Sequence, residues 1–143
     1  MQAIPPWKDF DEVFSRINAA PFYRTLSIRL VQVDENGSVL KISLKNKHKN
    51  LWGNVHGGVI ASLVDTTCGL SVIPFLKEGE TMVSVVLQIH YYAPAGVDGD
   101  LIGHGKVIHR GGKLMGTEAE VFDRSGHLIA KGTSVLRILR PAI

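Results

Sequence analysis

The stretch NLWGNVHGGVIASLVDTTCGL, residues 50–70, decides how the chain is read. Val59, Ile60, Leu63, Val64 and Leu70, with Val72 and Ile73 just beyond, spread around a helical wheel. The segment therefore reads as a helix that is apolar on nearly every side, from about 56 to 76, with Pro74 loosening its last turn. Asp65 stands inside the most apolar part, and the entry carries His56, Gly57 and Gly58. An ionised carboxylate without a solvated face is costly unless it is hydrogen-bonded or paired. Two explanations are open: Asp65 locks the fold through nearby Ser, Thr or Asn groups, or it does chemistry.

The helix start bears on that choice. Its first amides have no intrahelical acceptor and lie at the positive end of the dipole. Gly57 and Gly58 leave those amides unscreened, which suits a carbonyl oxygen gaining negative charge. Close packing of helix on strand is the other use of two glycines. Gly57 and Asp65 are eight residues apart, so about 12 Å along the axis. One straight helix cannot bring both to one scissile bond. If they act together they come from two chains with helices side by side, and a two-fold dimer supplies two such sites.

Outward from this helix the pattern is mostly strands. Residues 7–20 form a short helix with Trp7, Phe10, Val13, Phe14 and Ile17 at helical spacing, ended by Pro21. Strands at 26–33 and 38–44 flank the turn signal Asp34-Glu35-Asn36-Gly37. Four more are expected at 82–92, 100–109, 113–122 and 127–139. In the first of these, alternation turns Val85, Leu87, Ile89 and Tyr91 toward the helix. Ser84, Val86, Gln88, His90 and Tyr92 then face away, as a surface for a second dimer. The class is α+β, a largely antiparallel sheet curled around one helix in a single domain spanning 1–143.

The 143 residues fit one domain, and 45% hydrophobic content supports a core. No apolar run approaches the eighteen of a membrane span, and the first residues lack a basic-then-apolar secretory pattern. The single Cys68 makes no internal disulfide, so a reducing, cytoplasmic setting is expected. The net charge is +3, yet its cations form no dense block. We expect no nucleic-acid or membrane partner; a small phosphorylated ligand suits the excess as well as ordinary solubilising charge does. His104 and His109, five apart on one strand, are expected to face opposite ways, and no metal-ligand spacing occurs. No helix signal follows the glycines of 102–116, so they make no dinucleotide fingerprint. Arg110, Gly112 and Lys113 sit on a basic hairpin, either a solvated tip or a holder of phosphates.

Asn50, His56-Gly57-Gly58, Asp65 and a strand carrying Ser84 together resemble the hotdog-fold acyl-CoA thioesterases, most nearly the phenylacetyl-CoA (PaaI-type) subgroup. The likeness covers roughly residues 20–139. It implies a curved sheet around the central helix, and hydrolysis of an aryl- or fatty-acyl-CoA to free acid and coenzyme A. No metal or other cofactor is implied. Asp65 matches the family's carboxylate, as general base or nucleophile, and Gly57 the residue whose amide polarises the carbonyl. His56 and Asn50 match polar groups lining the site. Ser84 matches a hydrogen-bonding partner of the water or the carboxylate. Gly58, Arg110, Gly112 and Lys113 are the candidate substrate-binding residues. The resemblance implies a homodimer with each site shared between subunits, and a homotetramer as a dimer of dimers. The rival readings are a non-catalytic acyl-CoA or lipid-binding module and an enoyl-CoA hydratase or dehydratase.

Overall fold

The computed structural model describes residues 10–141. Two short helices, α1 (Phe10–Asn18) and α2 (Pro21–Leu26), lead into β1 (Ile28–Asp34) and β2 (Gly37–Ser43). The central helix α3 (Gly57–Leu70) follows, then β3 (Thr81–Tyr91), β4 (Asp100–Arg110), β5 (Leu114–Phe122) and β6 (Leu128–Leu139). All pairings are antiparallel, in the order β1-β2-β4-β5-β6-β3. The sheet wraps α3, which touches every strand from β2 to β6. This is the α+β arrangement of a hotdog fold.

Residues 7–9 of the expected first helix lie outside the described residues. Two local departures from the sequence reading have simple causes. Pro21 begins a helix instead of ending one: Ala20 is extended (φ −60°, ψ 132°), as a residue before proline prefers, and the missing N–H costs nothing at a first helical position. The central helix stops at Leu70, six residues short of expectation. Pro74 has no N–H for the Leu70 carbonyl and its ring collides with that oxygen. The chain tightens instead, with Val72 N–H bonded to Gly69 O at 3.1 Å and a 3-10 turn at Ile73–Phe75.

The core lies between α3 and the sheet. Leu63, Val64 and Cys68 are wholly buried against Leu40, Ile42, Leu101, Ala119, Val121 and Ala130. Helix and sheet approach closely because two strand positions lack side chains. A Cβ on Gly103 would lie 2.5 Å from Thr67 Oγ1, and one on Gly132 2.5 Å from Val64 Cγ1. The segment Gly57–Phe75 has a mean hydropathy of 1.5, enough by length and composition to cross a membrane. Here it is the wrapped helix of a core, 61% buried.

Two β-bulges overturn face assignments made by simple alternation. On β3 the register shifts between Ser84 and Val86, so that Ser84 pairs with Leu136 and Val86 with Val135. The extra residue, Val85, lets Ser84 face the helix together with Leu87, Ile89 and Tyr91. On β4 a shift between Val107 and His109 pairs His104 with Glu120 and His109 with Gly116. Both histidines therefore stand on the outer face of the sheet, not on opposite ones.

Candidate active site

Asp65 is not buried, contrary to expectation. Ala61, Ser62, Asp65, Thr66 and Gly69 form a half-exposed stripe along α3, on the side the sheet does not cover. The carboxylate accepts a hydrogen bond from Ser84 Oγ at 3.2 Å. The bulge at Val85 makes that contact, since uninterrupted alternation would aim Ser84 away. Tyr23, on α2, also answers to Asp65. Burial raises its phenol above the usual range, and the carboxylate's charge adds to the effect.

At the other end of the helix, residues 48–56 fold into a small hairpin that the sequence presents only as polar connection. Lys49 bridges Val55, Asn50 N–H bonds to Asn54 O at 2.7 Å, and His56 N–H to His48 O at 2.8 Å. Asn50 Oδ1 closes the tip by accepting from Trp52 N–H at 2.9 Å and Asn54 N–H at 3.1 Å. Both lone pairs of that oxygen are thereby used, so what Asn50 can offer a ligand is its Nδ2 amine.

His56 then caps α3. Its backbone is extended (φ −62°, ψ 136°), and its Nδ1 accepts from Gly58 N–H at 2.8 Å. The acceptor role leaves Nε2 of this exposed residue as the ring's donor. Gly58 lacks a side chain because a Cβ would sit 3.0 Å from that Nδ1. Its amide, expected to be bare, is spent on the cap. Val59 and Ile60 bond to His56 O. Gly57 N–H is thus the one amide of the first turn without an acceptor among the described residues. Beside it, Tyr91 donates its hydroxyl to Gly57 O at 3.2 Å. Its ring carbons lie 3.7–3.9 Å from where a Gly57 Cβ would be. Alternation puts Tyr91 on the right face but does not bring it to this site. Only the fold shows that β3 ends over the start of α3.

The basic hairpin lies apart from both groups within one chain. Arg110 stacks over Phe75, 4.3 Å from the ring centroid, beyond the C-terminal end of α3. Arg110 and Gly112 line a cleft of about 400 Å³ with Lys77 and Arg140. Glu80, buried there, pairs with Arg140 at 3.4 Å. Lys113 lines the neighbouring surface with His109 and Leu114. Among the described residues no three His, Cys, Asp or Glu side chains gather as a metal site would.

A family model described as the thioesterase superfamily matches residues 53–130, over half the chain, from the hairpin tip into β6. This chain belongs to the thioesterase superfamily. Human (Homo sapiens) acyl-coenzyme A thioesterase 13 is 30% identical over 116 residues, covering 80% of this chain and 82% of that protein. A solved thioesterase from Haemophilus influenzae superposes with a TM-score of 0.85 over 96% of both chains, at 16% identity. The phenylacetic acid degradation protein PaaI of Thermus thermophilus, solved as a mutant, gives 0.76 at 20% identity, over 85% of this chain and all of that one. At such identities these two structures speak for the hotdog fold. The thioesterase described here is a thioester hydrolase, with its unpaired amide and its carboxylate at separate places on α3.

Proposed function

We propose that this thioesterase hydrolyses acyl-CoA thioesters, of the PaaI type, at sites shared between two copies of the chain. The observation that carries this is the separation along α3. The free Gly57 amide and the Ser84-held Asp65 carboxylate stand about 12 Å apart on one helix, with the stripe around Asp65 uncovered. Neither can serve the other's substrate carbonyl alone. β3 supplies the means of association. Among the described residues it is an edge strand paired only with β6, and Val83, Val85, Val86, Leu87 and Tyr91 are exposed along it. Such an edge is a template for a second copy. Antiparallel pairing of β3 with its copy sets two α3 helices side by side in opposite directions. The Gly57 amide of one then faces the Asp65 of the other.

In that site the thioester carbonyl accepts from Gly57 N–H, whose position in the positive field of the helix start favours charge developing on the oxygen. Asp65 either takes a proton from a water that attacks the carbonyl carbon, or attacks that carbon itself to give a mixed anhydride that water then opens, with Ser84 fixing its orientation. His56 Nε2–H and Asn50 Nδ2 are donors left over for substrate. The thiolate of coenzyme A leaves and the acid is freed, with no metal or redox group in the scheme. In this reading Arg110 and Gly112, with Lys77 and Arg140 in the same cleft and Lys113 beside it, hold phosphates beyond the end of α3 that would lie toward the partner's helix start. The outer face of β3, with Val86, Gln88, His90 and Tyr92, remains for packing of dimer on dimer.

Complementation tests the shared site. Asp65→Asn and Gly57→Pro chains should each be folded and nearly inactive in thiol release from acyl-CoA. Unfolded and refolded together, they form mixed dimers holding one intact site of two, and activity should return to about a quarter of the wild-type value. Two inactive variants that stay inactive as proven mixed dimers would refute the shared site. Full activity in a folded Asp65→Asn protein would refute the carboxylate's role.

A further inference from the structure

We propose that His48 is a positioning residue for the Gly57 amide, through a clasp that its ring makes across the base of the 48–56 hairpin. This rests on the reading of that amide as the carbonyl's donor. His48 is wholly buried, and both ring nitrogens are engaged by backbone. Nδ1 accepts from Lys45 N–H at 2.9 Å. The proton therefore sits on Nε2, which donates to Leu26 O at 2.8 Å. Leu26 is the last residue of α2, where helical carbonyls lack an intrahelical donor. The ring thus fastens one rail of the hairpin to the end of α2.

The other rail is held by main chain. Val55 N–H bonds to Ala95 O at 2.8 Å, and Asn54 bridges Gly96. The tip gives no anchorage, because Leu51 is 92% and Trp52 81% exposed. The hairpin is therefore slung between the 95–96 loop and α2, and His48 is its buried side-chain attachment on the α2 side, beside an exposed one in which Lys47 Nζ donates to Thr25 O at 2.8 Å. Its own carbonyl accepts from His56 N–H at 2.8 Å, one residue before Gly57. With the ring gone, the first rail is free to tilt, and the peptide that carries the Gly57 N–H tilts with it. A misplacement of about 1 Å at such a donor costs catalysis about 100-fold.

Two variants each keep half of the clasp. In His48→Asn the side-chain oxygen stands in for Nδ1 toward Lys45, and in His48→Gln the amide nitrogen stands in for Nε2 toward Leu26. Both should lose about 10- to 100-fold in kcat while KM stays within about threefold. A ketone analogue of acyl-CoA, whose carbonyl uses the amide, should bind more weakly in step with kcat/KM. A thioether analogue without the carbonyl should bind as it does to wild type. Amide hydrogen exchange should quicken across residues 45–57, Lys45 included where its N–H loses the ring, and nowhere else. Wild-type kcat in both variants overturns the proposal. So does unfolding, or faster exchange throughout the chain, because His48 then holds the whole fold and not the amide. If the wild-type protein releases thiol from no acyl-CoA, the functional reading fails on its own. The exchange pattern still decides the clasp: faster exchange confined to 45–57 supports it, and unchanged exchange refutes it.

Discussion

Replacing Gly57 by proline removes one hydrogen-bond donor and almost nothing else. Gly57 is the first residue of α3, where an N–H has no intrahelical acceptor and proline is well tolerated. The residue before it must be extended, and His56 already is, at φ −62° and ψ 136°. The nearest neighbour of an added Cβ is the Tyr91 ring at 3.7 Å, ordinary contact distance. The helix should therefore survive with its melting temperature changed by only a few degrees, about 1 kcal/mol or less. Loss of a single oxyanion donor costs about 100- to 1,000-fold in kcat, roughly 2.7–4 kcal/mol of barrier. Gly57→Ala is the control, since it adds the Cβ and keeps the N–H. The assay is thiol release from a panel of aryl- and alkyl-CoA substrates, with thermal melting and oligomeric state measured on the same preparations. Gly57→Pro and Gly57→Ala proteins of equal kcat would show that this amide does not polarise the carbonyl.

Two further outcomes follow from the same geometry. Ser84→Ala deletes the 3.2 Å bond to Asp65; at so exposed a position the loss should be about 1 kcal/mol, some fivefold in kcat, with stability within about 0.5 kcal/mol. An equal kcat at every pH in steady-state assays would show that the bond does not orient the carboxylate. Burial pushes the Cys68 thiol up to about 11 from 9.0, a hydrogen bond with Thr117 opposing and the charge of Asp65 adding. The folded value is the higher one, so this contribution is whole below pH 9 and lost as pH rises toward 11, on the order of a few kcal/mol. Urea unfolding from pH 8 to 11 should fall more steeply for wild type than for Cys68→Ala, and parallel curves would contradict the linkage.

What could be read from residues alone was what depends on near neighbours in the chain. The wheel of Val59, Leu63 and Val64 marks α3, and the spacing of Gly57 from Asp65 already demands two chains if both act on one bond. Ser84 shows where this stops. Its direction depends on one extra residue in β3 relative to β6, a matter of pairing with a strand some fifty residues away, and no alternation rule anticipates it. Alternation misplaces His109 for the same reason. The wheel makes Asp65 look buried because it counts apolar residues without knowing which side the sheet leaves open. Nothing in the sequence singles out His48 or Tyr91 for the site, because their partners, Leu26 O and Gly57 O, are backbone atoms brought near only by the fold.

The cap at the start of α3 bears on what happens after the thioester is cut. Without His56 Nδ1 the helix would offer two neighbouring donors, Gly57 N–H and Gly58 N–H, a fork suited to an anion with two equivalent oxygens. With the ring in place only one prong remains. A thioester has a single carbonyl oxygen and loses nothing by this. A free carboxylate, which would be gripped best by paired parallel donors, finds half of a receptor. In the proposed site, the residue that keeps the helix from fraying therefore also biases binding against the acid product.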